Sequence, residues 1–204
     1  MLIRTHAASL SIATTLAALA APALGDIVNG DFEAGNTGFL TSYVFTPANV
    51  FPYVNQYGIT QSSFAWSNFW NNVPGDHTTG NGLFLIVDVG STNTVWQQTV
   101  SVTPGTAYTL GAWIATWTSF TGATLGVEIN GSLVTAWDPA GAAWAERTAS
   151  WNSGISTAAT IRLYATTLFQ PGDDVAIDDI TFVPTPGAAG LLGLGAAGLL
   201  RRRR

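Results

Sequence analysis

Short hydrophobic stretches with alternating polar positions recur along the middle of the chain, and turn-forming residues separate them. Val, Ile, Thr, Phe, Tyr and Trp dominate the stretches, while Gly, Pro, Asn and Asp fill the gaps. A period of two residues, with almost no helical periodicity, is typical of β-strands. The pattern predicts eight strands, at 82–89, 94–102, 107–117, 124–131, 133–137, 145–152, 159–167 and 174–183.

Two of the gaps contain residues that turn the chain for stereochemical reasons. Pro104 presets a negative φ and Gly105 accepts a positive one, while the Asn130-Gly131 pair favours a tight hairpin. Eight strands at this spacing predict two packed sheets, an all-β jelly-roll β-sandwich. The stretch 36–81 is less regular, and we expect it to form long loops with one or two strands.

A separate apolar region lies at the N-terminus. A short basic region precedes small apolar residues at 7–20, and Ala23 and Gly25 then occupy the cleavage positions. This layout is typical of a secretory signal peptide at 1–25, and the run is shorter and richer in Ala and Thr than a first transmembrane helix, which is the alternative. We therefore expect an exported protein whose folded domain spans residues 26–183.

Charge narrows the possible partners of this domain. Residues 26–183 hold all twelve acidic residues of the chain but only two basic ones, Arg147 and Arg162, and no lysine. The domain therefore carries ten net negative charges, which repel phosphate backbones and exclude nucleic acid as a partner. Because the chain has no cysteine, we expect core burial to hold the exported fold, helped by a metal where acids converge.

Three stretches of the domain resemble known patterns. They are "NGDFEAG" at 29–35, "DHTTGNGLFLIVD" at 76–88 and "VAIDDITFV" at 175–183. Together with the central "QTVSVTPGTAYTLGAWI", they are similar to the galactose-binding-like jelly rolls, a group that includes many carbohydrate-binding modules. They are also similar to the MAM domains of adhesion proteins. The resemblance implies an exported domain that binds polysaccharide or other surface proteins.

Acidic residues at the two ends of the domain form a candidate metal site. In a jelly roll the first and last strands can lie close together, which brings Glu33 near Asp178 and Asp179. Calcium takes six to eight oxygen ligands, including carboxylates and backbone carbonyls. The resembling families hold a structural calcium ion here, with Glu33 and one of the two aspartates at matching positions. Asp31 and Asp76 are additional candidates.

Simple alternation along the last strand gives the two aspartates opposite orientations. It groups Asp178 with Ile180 and Phe182 on one face, and Asp179 with Ile177 and Thr181 on the other. One of the two should point at the metal, and the sequence leaves open which. The alternative is that both are solvated acids beside the strand.

Tryptophans supply the candidate sugar site. Indole faces stack on sugar rings, while nearby Asn, Gln and Asp side chains bind hydroxyl groups. Trp113 and Trp117 share one face of a predicted strand, about 13 Å apart, and Trp66 and Trp70 stand in a predicted loop. The other face of that strand carries a predicted core stripe of Tyr108, Leu110, Ala112 and Ile114. The alternative for these four tryptophans is core or edge packing, which we expect for the rest: Trp96, Trp137, Trp144 and Trp151.

Catalytic chemistry has little support in the sequence, and we expect the protein not to be an enzyme. After removal of the signal, His77 is the one remaining histidine, and the chain has no cysteine and no G-x-S-x-G motif. We expect His77 to shape a loop with Asp76 rather than to act as a base. A glycoside hydrolase is the less favoured alternative. Its candidate carboxylate pairs are Glu128 with Glu146, and Asp173 with Asp174.

Residues 184–204 resemble a sorting signal of the PEP-CTERM type, which an exosortase reads. Pro184 and Pro186 frame Thr185, which stands where the family usually has Glu. The apolar run that follows spans about 21 Å as a helix, less than the ~30 Å hydrocarbon core, which suits a transient membrane anchor that is later cleaved. A permanent tail anchor is the alternative. The signal ends on a basic cluster of Arg201, Arg202, Arg203 and Arg204.

These features predict an exported, non-catalytic protein of the cell surface or extracellular matrix. Its calcium-stabilised β-sandwich is expected to bind extracellular polysaccharide. The alternative from another class is a structural or adhesion protein that binds other surface proteins and has no sugar site.

Overall fold

The computed structural model describes residues 26–48, 54–70, 75–116, 122–138, 141–167 and 174–185. The predicted signal peptide, Trp117, Asp173, Pro186 and the C-terminal arginines lie outside these residues. Within the described ranges, no helix has the length and apolar content that a membrane crossing needs.

The described residues form ten strands and one short helix. Their order is β1 (Val44–Phe45), β2 (Gln56–Thr60), α1 (Ser63–Trp66), β3 (Phe84–Asp88), β4 (Thr94–Ser101), β5 (Ala107–Ala115), β6 (Leu125–Ile129), β7 (Ser132–Trp137), β8 (Ala145–Asn152), β9 (Ala158–Ala165) and β10 (Val175–Pro184). Each of the eight predicted strands is present, with ends that differ from the prediction by at most two residues. The irregular stretch contains β1 and β2 as expected, and α1 in addition.

The strands form a jelly-roll β-sandwich of two sheets. The larger sheet has the order β1-β2-β3-β10-β5-β8, and the smaller one β4-β9-β6-β7. Strand β1 runs parallel to β2, and the other described pairings are antiparallel. Asn130 and Gly131 both have positive φ, as a tight hairpin between β6 and β7 requires.

The core lies between the two sheets. Alternate residues of each central strand point into it, because side chains of a strand alternate between its faces. The predicted stripe of β5 is confirmed, since Tyr108, Leu110, Ala112 and Ile114 all belong to the core. Trp96 and Trp137 are buried there too, and Trp151 packs against it, as expected for packing residues.

The beginning and the end of the domain meet beside β10. The strand lies between β3 and β5, and Ile180 N donates a hydrogen bond of 2.9 Å to Gly30 O in the N-terminal turn. The predicted proximity of the two ends is therefore present. It places Glu33 in the same region as the two aspartates of β10.

A β-bulge in β10 overturns the predicted alternation of that strand. The register against β5 shifts between Asp178 and Thr181, and Asp179 has a φ of 47°. An extra residue in one strand turns the following side chains to the opposite face. Ile177 and Ile180 therefore both enter the core. Asp178 does not share a face with Ile180 and Phe182, but lies on the side of the sheet that faces away from the core.

Candidate functional site

The outer face of the six-stranded sheet, which faces away from the core, carries a second set of apolar side chains. We call this set the outer cluster. It consists of Trp66, Trp70, Phe84, Ile86, Ala115 and Ala176, with Trp144 packed against it. The outer face of a sandwich sheet is ordinarily polar, so an aromatic cluster there marks this face as the candidate site.

The first half of the outer cluster is built by the segment around α1. Ser62 caps the helix, since its Oγ accepts a hydrogen bond from Ala65 N at 3.3 Å. Trp66 lies over Gly58 of β2, where a Cβ would overlap its indole. The Trp66 Nε1–H donates to Thr46 O at 2.7 Å. These contacts fix the Trp66 ring flat against the sheet.

Trp66 and Trp70 are buried although they lie outside the core. Their ring centroids are 4.6 Å apart, and their side chains are 1% and 7% exposed. Phe64 and Phe69, from the same segment, are 56% and 64% exposed. In this conformation the phenylalanines, and not the two predicted tryptophans, present the open ring surface of the segment.

Trp113 lies on the outer face of β5, next to the edge strand β8 of the six-stranded sheet. Its cross-strand neighbours are Asp178 of β10 on one side and Glu146 of β8 on the other. Such neighbours share a face, with Cβ atoms about 5 Å apart. His77 stacks on one face of the half-buried indole, with ring centroids 3.6 Å apart. Trp113 is therefore an aromatic ring that stands between two carboxylates.

An open polar strip extends from Trp113 along β5. Gly111 forms its floor, and a Cβ there would meet Thr181 Oγ1 at 2.9 Å, with no other atom outside the neighbouring residues within 4 Å. Thr181 of β10 and Thr148 of β8 flank the floor, and both are exposed. We call this surface the outer strip: Trp113, Gly111, Glu146, Thr148 and Thr181. Trp113 is predictable from the sequence as a sugar contact, whereas the other four join this surface only through the register of the strands.

The loop that precedes β3 is organised around Asp76. Its carboxylate accepts hydrogen bonds from Thr79 N at 2.7 Å and Gly82 N at 2.6 Å, and also from Thr79 Oγ1. Burial by itself raises the pKa of Asp76, but these hydrogen bonds hold it below its ordinary value. Asp76 is therefore a buried, ionised acid at the base of the loop.

Asp178 lies beside this loop and is fully buried. Its two carboxylate oxygens accept hydrogen bonds from His77 N and Asp179 N, each at 2.8 Å. Burial, together with the nearby charges of Asp179 and Asp76, raises the pKa of Asp178 to about 7 against these hydrogen bonds. No positive group compensates this carboxylate among the described residues that surround it.

The predicted metal ligands divide into two groups. Glu33 approaches the same loop, because its Oε1 accepts from Leu83 N at 2.7 Å, and a Cβ on Gly82 would overlap that oxygen and come within 3.0 Å of Asp76 Oδ2. Asp31 and Asp179 point elsewhere. Asp31 accepts a long hydrogen bond from Glu33 N, and Asp179 pairs with His77 and Thr78.

The donor set at this junction suits a hard cation, since Glu33, Asp76 and Asp178 offer only oxygen ligands. The side chains are not drawn together as in a formed metal centre. In the part of the chain that the structure describes, no group of three His, Cys, Asp or Glu side chains has metal-binding spacing.

The candidate hydrolase pair is separated by the sandwich. Glu128 lies on the outer face of the four-stranded sheet, where its Oε2 pairs with Arg162 Nη1 at 3.3 Å. Glu146 lies on the outer face of the other sheet beside Trp113. The two carboxylates therefore cannot act on one glycosidic bond. Of the second pair, Asp174 is buried and Asp173 lies outside the described residues.

No protein-family model matches the sequence, and a comparison with curated proteins finds no match. Solved structures do share the fold. A cyclase from Fischerella sp. in its apo form is 15% identical, with a TM-score of 0.57 over 81% of this chain and 98% of that one. The enzymatically active domain of tailspike protein 4 from bacteriophage CBA120 is 17% identical, with a TM-score of 0.53. That match covers 79% of this chain and 22% of the tailspike chain.

Carbohydrate-binding modules are also among the structural neighbours. The CBM22-1 xylan-binding domain of Paenibacillus barcinonensis Xyn10C is 12% identical, with a TM-score of 0.48 over 78% of this chain and 94% of that one. At such identities the neighbours show the jelly-roll fold alone. A fold by itself does not choose between binding and catalysis.

Proposed function

We propose that this protein binds extracellular polysaccharide without catalysis, and that the outer strip is its contact surface. One observation carries the proposal. Trp113 emerges on the solvent side of a sheet, at the end of a strip that has a glycine floor and exposed hydroxyl groups on both sides. An aromatic ring next to hydroxyl donors and acceptors matches the chemistry of a sugar ring, which has an apolar face and a polar rim.

The shape of the surface favours a polymer over a small molecule. The strip runs along β5 from Trp113 to Gly111, about 7 Å at ~3.3 Å per residue, and Thr109 continues the same face of the strand to about 13 Å from Trp113. Thr148 and Thr181, which flank it on either side, are both exposed. The predicted contacts of Trp117, Trp66 and Trp70 remain predictions. For Trp66 and Trp70, contact requires the segment that carries them to move away from the sheet, because both rings are buried.

The proposal is tested by blocking the strip without disturbing the fold. The Gly111→Val variant places a branched side chain on the floor, where only the mobile Thr181 hydroxyl has to give way. We expect saturable binding of the full-length protein on a glycan array, and its loss in Gly111→Val with an unchanged melting temperature. The matched control is Thr99→Val on the exposed side of the other sheet, which should bind normally.

The alternatives give different outcomes in the same assay. A structural or adhesion protein binds no glycan on the array. A hydrolase releases shortened products from a bound glycan, and the variants of Glu146 then lose turnover more than binding. Binding that survives Gly111→Val and Trp113→Ala alike overturns the assignment of the site.

We also propose that a calcium ion stabilises the junction of the N-terminal turn, the Asp76 loop and β10. Glu33, Asp76 and Asp178 would hold it, with oxygen atoms alone. Two features support this: the buried carboxylates lack a counter-charge, and a Cβ on Gly82 would intrude on the space between Glu33 and Asp76. We expect a chelator to lower the melting temperature and added calcium to restore it. The Asp76→Asn variant should lose this response, and a melting curve indifferent to chelator overturns the proposal.

Export and anchoring complete the proposed function. The signal peptide would deliver the domain outward, and the tail would hold it at the membrane until an exosortase-type enzyme cleaves it. The support is the order of the segments in the sequence. The mass of the mature protein tests this. A chain that begins near Asp26 and ends near Pro186 is expected, and a surface protein that retains the four arginines overturns the cleavage.

A further inference from the structure

We infer that the polysaccharide bound at the outer strip carries positively charged amino sugars. This inference rests on the proposed function, since it names the class of glycan that the same surface takes. The geometry points to Glu146 as the residue that selects it, with the Trp113 ring as the platform beside it.

The first step is the placement of Glu146. It is directly opposite Trp113 across the β5–β8 pair, on the edge strand of the sheet, and its side chain is exposed. In the described residues the two ion pairs are His77–Asp179 and Arg162–Glu128. Glu146 takes part in neither, and none of the hydrogen bonds in these residues involves its carboxylate. It is a free acceptor next to an aromatic ring.

The second observation concerns the two arginines among the described residues, Arg147 and Arg162. Arg162 lies on the outer face of the other sheet, bound to Thr94 Oγ1 and Glu128 and stacked over the Tyr164 ring. Arg147 follows Glu146 in β8, but its guanidinium donates to the backbone carbonyls of Asp138 and Glu146. Neither arginine is positioned to neutralise the carboxylate at the strip.

The third observation is the negative electrostatic potential around the strip. The domain that carries the strip has ten net negative charges between residues 26 and 183. Such a surface repels uronic acids and sulfated sugars, and attracts cations before contact. A protonated amino group on a sugar that stacks on Trp113 would meet the Glu146 carboxylate in a charge-assisted hydrogen bond.

The inference is tested with three oligosaccharides of equal length, titrated into the full-length protein. They are a glucosamine oligomer with free amino groups, its fully N-acetylated counterpart, and a xylose oligomer. We expect the glucosamine oligomer to bind at least about tenfold more tightly than the other two, the effect of one hydrogen bond to a charged group. Its affinity should fall as salt is raised, because salt screens exposed charges.

The Glu146→Gln variant distinguishes the effect of this carboxylate from the attraction of cations by the negative charge of the whole domain. It keeps the size and hydrogen-bonding capacity of the side chain, and we expect it to remove most of the preference for free amino groups. Asp26→Asn removes one charge at the edge of the four-stranded sheet, and should keep the preference. Spermidine, a cation without a sugar ring, should not compete at concentrations that match the oligomer.

The outcomes distinguish this inference from the proposed function. Equal binding of free and N-acetylated oligomers, or an unchanged preference in Glu146→Gln, overturns the inference. If Gly111→Val still abolishes that binding, the proposed function stands. If no oligosaccharide binds, and a wider glycan array is also empty, both fail.

Discussion

The imidazole of His77 lies flat against the indole of Trp113, with ring centroids 3.6 Å apart and ring planes 13° apart. The histidine is held in place by its backbone N–H, which donates to Asp178, and by its Nδ1, which lies 2.5 Å from Asp179 Oδ2. Trp144 meets the imidazole edge-on. His77 therefore anchors the loop around Asp76 to the sheet, which agrees with the prediction that His77 shapes a loop.

Removing this anchor should loosen the loop. We expect His77→Ala to lower the free energy of unfolding by about 1–2 kcal/mol, because the ring contact and the polar contact to Asp179 are both lost. His77→Phe keeps the stack and should recover part of the loss. Urea unfolding measures the stability, and amide hydrogen exchange at Thr79 and Gly82 reports the loop. Unchanged protection in His77→Ala contradicts the anchoring role.

Two glycines of the outer face should respond in opposite ways to the same substitution. A Cβ on Gly58 would overlap the Trp66 indole, whereas a Cβ on Gly111 would meet only the Thr181 hydroxyl. We expect Gly58→Ala to destabilise the protein by about 1–3 kcal/mol through overpacking. Gly111→Ala should be neutral or stabilising by up to about 1 kcal/mol, because alanine loses less conformational entropy than glycine when the chain folds into the strand. Similar melting temperatures for the two variants contradict the packing of Trp66.

The strands were predictable because their signal is local. Alternation in the stretch that became β5 identified Tyr108 to Ile114 as a core stripe, and the Asn130-Gly131 pair located a hairpin. The bulge at Asp179 was not predictable in this way. A non-glycine residue with positive φ interrupts the period of two, and only the pairing of β10 with its neighbours reveals it.

The candidate site was less predictable than the fold, since it depends on which strands become neighbours. Trp113 and Glu146 are far apart in sequence and become adjacent only through the register of β5 with β8. The burial of Trp66 was equally unpredictable. Its segment has the sequence of a loop, whereas the structure places its indole over Gly58. Asp76 could be named as a candidate cation ligand from sequence, but its three hydrogen-bond donors come from the turn geometry of the loop.

Gln98 ties the N-terminal segment to the edge of the four-stranded sheet. Its Nε2 donates to Val28 O at 2.8 Å and Gly38 O at 2.6 Å, and its Oε1 accepts from Val28 N at 2.9 Å. We expect Gln98→Leu to cost about 1–3 kcal/mol, since three hydrogen bonds of a largely buried side chain are lost. Gln98→Glu should be destabilising as well, because a carboxylate would face two carbonyl oxygens. Thermal unfolding measures both variants.

The matched control for this prediction lies one residue further along β4. Thr99 faces outward, so Thr99→Val removes only an exposed hydroxyl contact with Thr160. Its melting temperature should stay close to that of the parent protein. If Gln98→Leu behaves like Thr99→Val, the N-terminal segment is held by other contacts than this side chain.

Asp178 should give the metal-free protein a stability that declines as pH rises. Burial raises its pKa to about 7 in the folded protein, whereas an unfolded aspartate titrates near ~3.9. Between these values the folded state binds more protons than the unfolded state, so the contribution of Asp178 is full below about pH 4 and is lost as pH rises through about 7.

Urea unfolding with chelator present should show this decline, and Asp178→Asn should flatten it. Saturating calcium should flatten it too, because a cation beside Asp178 stabilises the ionised carboxylate. A parent protein and an Asp178→Asn variant with identical pH dependence in chelator would mean that this carboxylate is not held in an uncompensated environment.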